Sequence, residues 1–136
     1  MKSPRDVLGD ALTIAVVGAS RDPAKAAHTV PAELLAHGWR IIPVNPYTDQ
    51  IWGERAYPLL AEIPEPVDLV NVFRPSADAT DVVRQAIAIG AHAVWLQLGI
   101  TSPEGRKLAT EAGLDYVEDT CIAVVRADGN LTRRPA

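Results

Sequence analysis

The sequence offers almost nothing from which to build a disulfide or a thiolate metal centre. Its single cysteine, Cys121, cannot pair within the chain and leaves no second thiolate for zinc. Aromatic residues make up only 5% of the chain, so the core has to be assembled from Ala, Val, Leu and Ile, which suits a sheet buried on both faces. There is no excess of positive charge, and a net charge of −4 argues against a general nucleic-acid or membrane-surface role. No apolar run approaches the roughly 18 residues of a membrane span, and the opening MKSPRDVLGD lacks a signal-peptide core. A cytoplasmic location is therefore expected. Also missing are a P-loop, a Ser-His-Asp set, paired catalytic carboxylates and a metal-ligand cluster, so catalytic residues and a metal are not assigned.

What is present is a single-domain length, 136 residues, organised around Leu12 to Lys25. Thr13-Ile14-Ala15-Val16-Val17 is an apolar, β-branched run that stops at Gly18 and reads as a buried strand. Val30, Leu34 and Leu35 then recur at helical spacing, with a helix expected from Thr29 to His37 and Gly38 as its left-handed cap. Before the strand, Ser3 reads as the N-cap of a short helix with Pro4 in its first position and Asp6 on the favourable end of its dipole. Gly9 is expected to end it.

The same grammar repeats down the chain. Arg40 to Val44 is a second strand, although Pro43 removes a ladder donor and argues against a central position. Thr48 to Ala56 reads as an irregular link with a reversal at Gly53, and Pro58 starts a short helix through Leu60 and Ile63. Val67 to Phe73 is the third strand, followed by a helix with Ala79, Val82, Val83, Ala86 and Ile87 inward and Gly90 at its end. Ala93 to Leu98 is the fourth strand, with Trp95 in the core. Ser102 caps the next helix, placing Leu108, Ala109 and Ala112 inward, and Leu114 to Val117 is the fifth strand. Cys121 to Val125 fits strand or helix equally, and Arg126 to Ala136 reads as a frayed polar end. Strands alternating with helices imply an α/β fold, a doubly wound three-layer sandwich with a mainly parallel five-stranded sheet.

In such folds, the turn after the first strand meets phosphate through backbone N–H groups and a helix dipole. Gly18-Ala19-Ser20-Arg21-Asp22-Pro23 lacks two of the three glycines of a dinucleotide loop. Asn45-Pro46 stands where that fold carries its ribose-binding acid. A hydroxyl at Ser20 and two cations, Arg21 and Lys25, remain for an anionic nucleotide.

Four motifs close successive strands. Gly-Ala-Ser-x-x-Pro follows the first, Pro-Val-Asn-Pro the second, Val-Phe-Arg-Pro the third and Val-Trp-Leu-Gln-x-Gly-Ile the fourth. Together, across Leu12 to Cys121, they resemble the small stand-alone CoA-binding proteins, which in turn resemble the Rossmann-like CoA-binding domain of the succinyl-CoA synthetase alpha subunit. The resemblance implies that Gly18, Ala19 and Ser20 receive the pyrophosphate or pantetheine arm, with Arg21 and Lys25 charged towards the phosphates. It further implies that Asn45 and Pro46 flank the nucleotide. Phe73, Arg74 and Pro75 would line the cleft from the third strand end, and Gln97, Gly99 and Ile100 from the fourth. The likeness weakens after Cys121, where Ile-Ala-Val-Val-Arg replaces the family's acidic-His pair.

The leading expectation is a CoA or acyl-CoA binding protein without catalytic machinery of its own, with no nucleic-acid or membrane partner and room for an unidentified protein partner. The alternatives are a subunit of a CoA-dependent transferase or ligase, and an NAD(P)-binding protein with a degenerate glycine loop. A pure interaction domain with a vestigial cleft is a third. His28 reads as a helix-end residue, His37 and His92 as surface residues, and Cys121 as a small buried hydrophobe.

Overall fold

The structure, a computed structural model, describes residues 2–133. Seven strands appear in chain order: β1 Thr13–Val17, β2 Arg40–Val44, β3 Gln50–Ile51, β4 Glu54–Arg55, β5 Leu69–Val72, β6 Ala93–Leu96 and β7 Asp115–Val117. The helices are α1 Pro4–Asp10, α2 Ala26–Ala36, α3 Ser76–Ala88, α4 Pro103–Glu111 and α5 Ile122–Asp128, with one 3₁₀ turn at Leu60–Glu62. Five strands pair in parallel in the order β2-β1-β5-β6-β7, and β3 and β4 form a separate antiparallel hairpin. This is the expected doubly wound α/β sandwich.

Strand parity divides the core. Ala15, Val17, Val70, Val72, Val94 and Leu96 pack with Ala79, Val83, Ala86 and Ala109 on the α3/α4 side. Ile14, Val16, Leu69, Trp95 and Val117 pack with Leu8, Leu34 and Ile122 on the α1/α2/α5 side. Both faces of the sheet are therefore dry, as the aliphatic composition requires.

Pro43 is accommodated because β2 is an edge strand. The Arg40 N–H donates inward to Leu12 O (3.1 Å), so Pro43, three residues on, has the outward parity and costs β1 no hydrogen bond. Outside it, the Tyr57 N–H donates to Pro43 O (3.0 Å), while Tyr57 O accepts from the Asn45 N–H (2.9 Å).

Several boundaries differ from the sequence reading. Helix α1 runs through Gly9 to Asp10, and α2 starts at Ala26, three residues early. The Thr48 to Ala56 link contains the β3/β4 hairpin, turned by Trp52 and Gly53, both at positive φ (56° and 76°). The expected reversal at Gly53 is present, and what the sequence did not show is the pairing around it, because strands of two residues are too short to display an alternation. Ala112 is exposed, and Leu98 lies beyond β6 with 70% of its surface accessible. The tail is corrected most. Cys121 is half-buried at the N-cap of α5, Arg126 is buried, and Leu131 packs on the core beside α5. The last three residues of that tail, 134–136, lie outside the described residues.

At the outer corner of β2, Arg40 grips Glu65 through Nε (2.9 Å) and Nη2 (3.0 Å) and reaches Glu54 through Nη1 (3.1 Å). The bidentate hydrogen bond holds the Glu65 carboxyl below its ordinary range. A lowered folded-state value stabilises above the pH where a free glutamate ionises, about 4.3, and that contribution fades as the pH drops through the lowered value. Arg40→Met is expected to return Glu65 to ordinary glutamate titration by NMR. The stability gap between variant and wild type should close in acid.

Candidate functional site

The strand order reverses direction between β1 and β5, and the carboxyl ends of those strands open a crevice at that switch point, where ligands bind in open α/β sheets. The cleft encloses about 540 Å³, within the range of small-molecule sites. Its floor is Val17, Gly18, Ala19 and Ser20 from the β1 end. Lys25 comes from the approach to α2, Asn45 and Pro46 from the β2 end, and Arg74 from the β5 end. Seven of the residues singled out in the sequence are thus brought together.

Gly18 has φ +86°, and a Cβ there would stand 3.2 Å from the Phe73 carbonyl carbon and 3.2 Å from Arg74 Cδ. Only glycine lets the β1 and β5 ends approach this closely. The amides of the turn are more committed than the sequence implied. Gly18 N–H donates to Val44 O and Ser20 N–H to Ala27 O, both at 3.2 Å. Among the described residues, the Ala19 N–H has no partner. Ser20 Oγ accepts from the Asp22 N–H (3.1 Å), which leaves its own proton to donate. Asn45 Nδ2 donates to Ala19 O (2.9 Å) and its Oδ1 accepts from the Tyr47 N–H (2.7 Å), pinning the two loops to each other. From the β1–α2 loop, the cleft is therefore offered the Ala19 amide, the Ser20 hydroxyl and the exposed Lys25 ammonium.

The opposite wall is α3, which presents Ala77, Asp78, Asp81, Val82 and Gln85 at helical spacing, and Tyr47, Pro58 and Leu59 form an apolar rim. These residues were missed in the sequence. The inward stripe of α3 was visible, but the neighbouring polar stripe has the pattern of any solvated helix face. The acidic pair changes the electrostatics. Arg74 Nη2 is bound to Asp78 Oδ2 (2.9 Å) and Asp81 Oδ2 accepts from Gln85 Nε2 (2.9 Å), so Lys25 and Arg74 are matched by two carboxylates. Lys25 in the cleft lining and Arg21 beside it have no ion pair among the described residues.

The other singled-out residues fall outside the cleft lining. Arg21 and Pro75 are exposed beside it. Phe73 has the parity of the α1/α2/α5 face and packs there. Gln97 is buried on the same face, with Oε1 accepting from Ile122 N–H (3.0 Å) and Asn71 Nδ2 (3.3 Å). The Gly99 N–H is taken by Asp119 Oδ1 (2.7 Å), and Ile100 leans on the α3/α4 core. Cys121 is likewise not part of the cleft lining. No group of three or more His, Cys, Asp or Glu among the described residues could hold a metal.

Residues 12–127, which include every element lining the cleft, match the family model described as a CoA binding domain. The chain belongs to the CoA-binding domain family. The chain is 36% identical to the uncharacterized protein YneT of Bacillus subtilis, covering 90% of this chain and 91% of that one. A solved structure from Thermus thermophilus is 41% identical and superposes with a TM-score of 0.86, covering 91% of this chain and 94% of the other. The alpha subunit of an ADP-forming acetate–CoA ligase from Pyrococcus furiosus is 28% identical over 87% of this chain, which spans only 28% of that subunit's length. The resemblance read from the four strand-end motifs thus agrees with the family to which the whole α/β unit belongs. Among the described residues, no helix is long and apolar enough to cross a membrane.

Proposed function

We propose that this chain is a single-domain cytoplasmic module that binds CoA or an acyl-CoA in the β1/β5 cleft and carries no catalytic machinery of its own. The observation that carries this reading is the turn at Gly18-Ala19-Ser20. It lies at the switch point, keeps one unpaired amide and one free hydroxyl proton, and lines the same open cleft as Lys25. A diphosphate needs that donor set, and family membership supports CoA as its bearer. Asn45 and Pro46 flank the nucleotide. Arg74 reaches phosphate by exchanging its Asp78 carboxylate for it.

Titration calorimetry with CoA, dephospho-CoA, NAD and NADP tests this directly. CoA should bind and raise the melting temperature, since a ligand of the folded state stabilises it. Binding of NAD or NADP without CoA would favour a dinucleotide protein, and failure of all four would leave an interaction domain. Lys25→Glu should weaken CoA roughly tenfold or more, the size of one lost charge-assisted contact, and flatten the salt dependence of binding.

A second reading, a subunit of a CoA-dependent ligase or transferase, is favoured by one observation: the similarity to a ligase alpha subunit more than three times as long. On that reading, the chain delivers CoA to chemistry supplied by another protein. Co-purification of a partner that confers acyl-CoA formation would support it.

A further inference from the structure

Helix α2 contains a buried proline, Pro31, five residues past its first residue, where helices usually exclude it. A proline there has no N–H for the carbonyl four residues earlier, and its ring pushes that carbonyl off the helix axis. The carbonyl in question is Ala27 O, and it accepts the Ser20 N–H from the β1–α2 turn at 3.2 Å. One residue on, His28 Nδ1 lies 2.7 Å from Ser20 O, and because a carbonyl only accepts, that nitrogen carries the proton. The His28 carbonyl accepts from Trp52 Nε1 (3.2 Å), so the hairpin is fastened to the same helical turn. Both backbone groups of Ser20 are therefore clipped to the first turn of α2.

We infer that Pro31 is a positioning residue for the ligand-binding turn: by leaving Ala27 O without an intrahelical donor, it reserves that oxygen for Ser20, and His28 completes the clip. This rests on the reading of the cleft as a CoA site. The clip commits the Ser20 amide to geometry, and the turn keeps Ala19 N–H and the Ser20 hydroxyl for the anion. An alanine at position 31 supplies the missing N–H, which competes with Ser20 for the same carbonyl while making α2 a better helix.

The test is amide hydrogen exchange and CoA calorimetry on wild type, Pro31→Ala and His28→Phe. In Pro31→Ala, the new amide at position 31 should be protected and Ser20 should exchange roughly tenfold faster, with an undiminished melting temperature. Its CoA dissociation constant should rise about tenfold, as should that of His28→Phe, which keeps both the main-chain bond from Trp52 and an aromatic ring against it while losing the Nδ1 contact to Ser20. A purely structural proline would give the higher melting temperature alone. Unchanged exchange at Ser20, or faster exchange with unchanged CoA affinity, overturns the inference. If wild type does not bind CoA, the functional reading falls with it, while Ser20 exchange still reports separately whether the clip exists.

Discussion

Gly18→Val is expected to remove measurable CoA binding and to destabilise the fold by roughly 2–4 kcal/mol, from backbone strain together with overpacking. Two costs fall on one position. At φ +86° any side chain is strained, and a β-branched one most. The added Cβ also meets main chain, the Phe73 carbonyl carbon at 3.2 Å and its oxygen at 3.3 Å, so no rotamer change relieves it. The relief available is to spread the β1 and β5 ends, and those ends form the floor of the cleft. Gly90→Ala separates the two costs. Gly90 has φ +77° with nothing within 4 Å of an added methyl, so it should lose about 1 kcal/mol from strain and retain full CoA affinity. Chemical denaturation and calorimetry on both variants check this. A Gly18→Val protein that binds CoA like wild type would remove the turn from the site.

Gln97→Leu should cost about 2–4 kcal/mol of stability, one unmet donor at a time, while leaving the CoA affinity of the folded protein unchanged. Gln97 Oε1 takes two donors, the Ile122 N–H at the start of α5 and Asn71 Nδ2. Asn71 is fully buried, and its own Oδ1 already has no partner among the described residues. Leucine fills the space but strands the Ile122 N–H and one of the two Asn71 Nδ2 protons, the other keeping Trp95 O (3.2 Å), which is worse than a site with no polar groups at all. Denaturant midpoints would show the loss, and calorimetry below the unfolding transition would show the unaltered affinity. A large fall in affinity with little loss of stability would instead make Gln97 a ligand contact.

That contrast explains how much could be read from the chain. Four strands of the main sheet were legible because a glycine or proline follows within three residues and the runs are largely apolar, although Asn71 interrupts β5; β7 has no such stop and was read from its position after Gly113. The turn at Gly18-Ala19-Ser20 and Lys25 followed from the first strand end, Asn45, Pro46 and Arg74 from the family resemblance of the next strand ends, and the structure gathers them round one crevice. Phe73 and Gln97 were grouped with them because the strand-end motifs of the resemblance were carried over whole, without regard to parity. Counting by twos from Asn71 to Phe73, and from Trp95 to Gln97, puts both on the face covered by α5. The acid pair Asp78 and Asp81 was invisible for a different reason. A helix's outward stripe is polar whether it meets water or a ligand, and only packing tells which. The tail was misjudged because Arg126 and Arg133 look solvated in sequence. In the fold, Arg126 Nη1 donates to Leu131 O (3.2 Å) and Arg133 Nη1 to Gly9 O (2.8 Å), and both draw the polypeptide back onto the body.

The outer border of β2 carries a further consequence for behaviour at high concentration. An open parallel sheet exposes main-chain groups that invite a neighbouring molecule to add its own strand, the route to fibrous aggregates. Here, Pro43 offers no donor, Tyr57 already satisfies the Pro43 carbonyl and the Asn45 N–H, and the Arg40, Glu54 and Glu65 charges stand guard at the corner. Edge-to-edge polymerisation is blocked along that border by three unrelated devices, so crowding the protein should not seed intermolecular β-structure there.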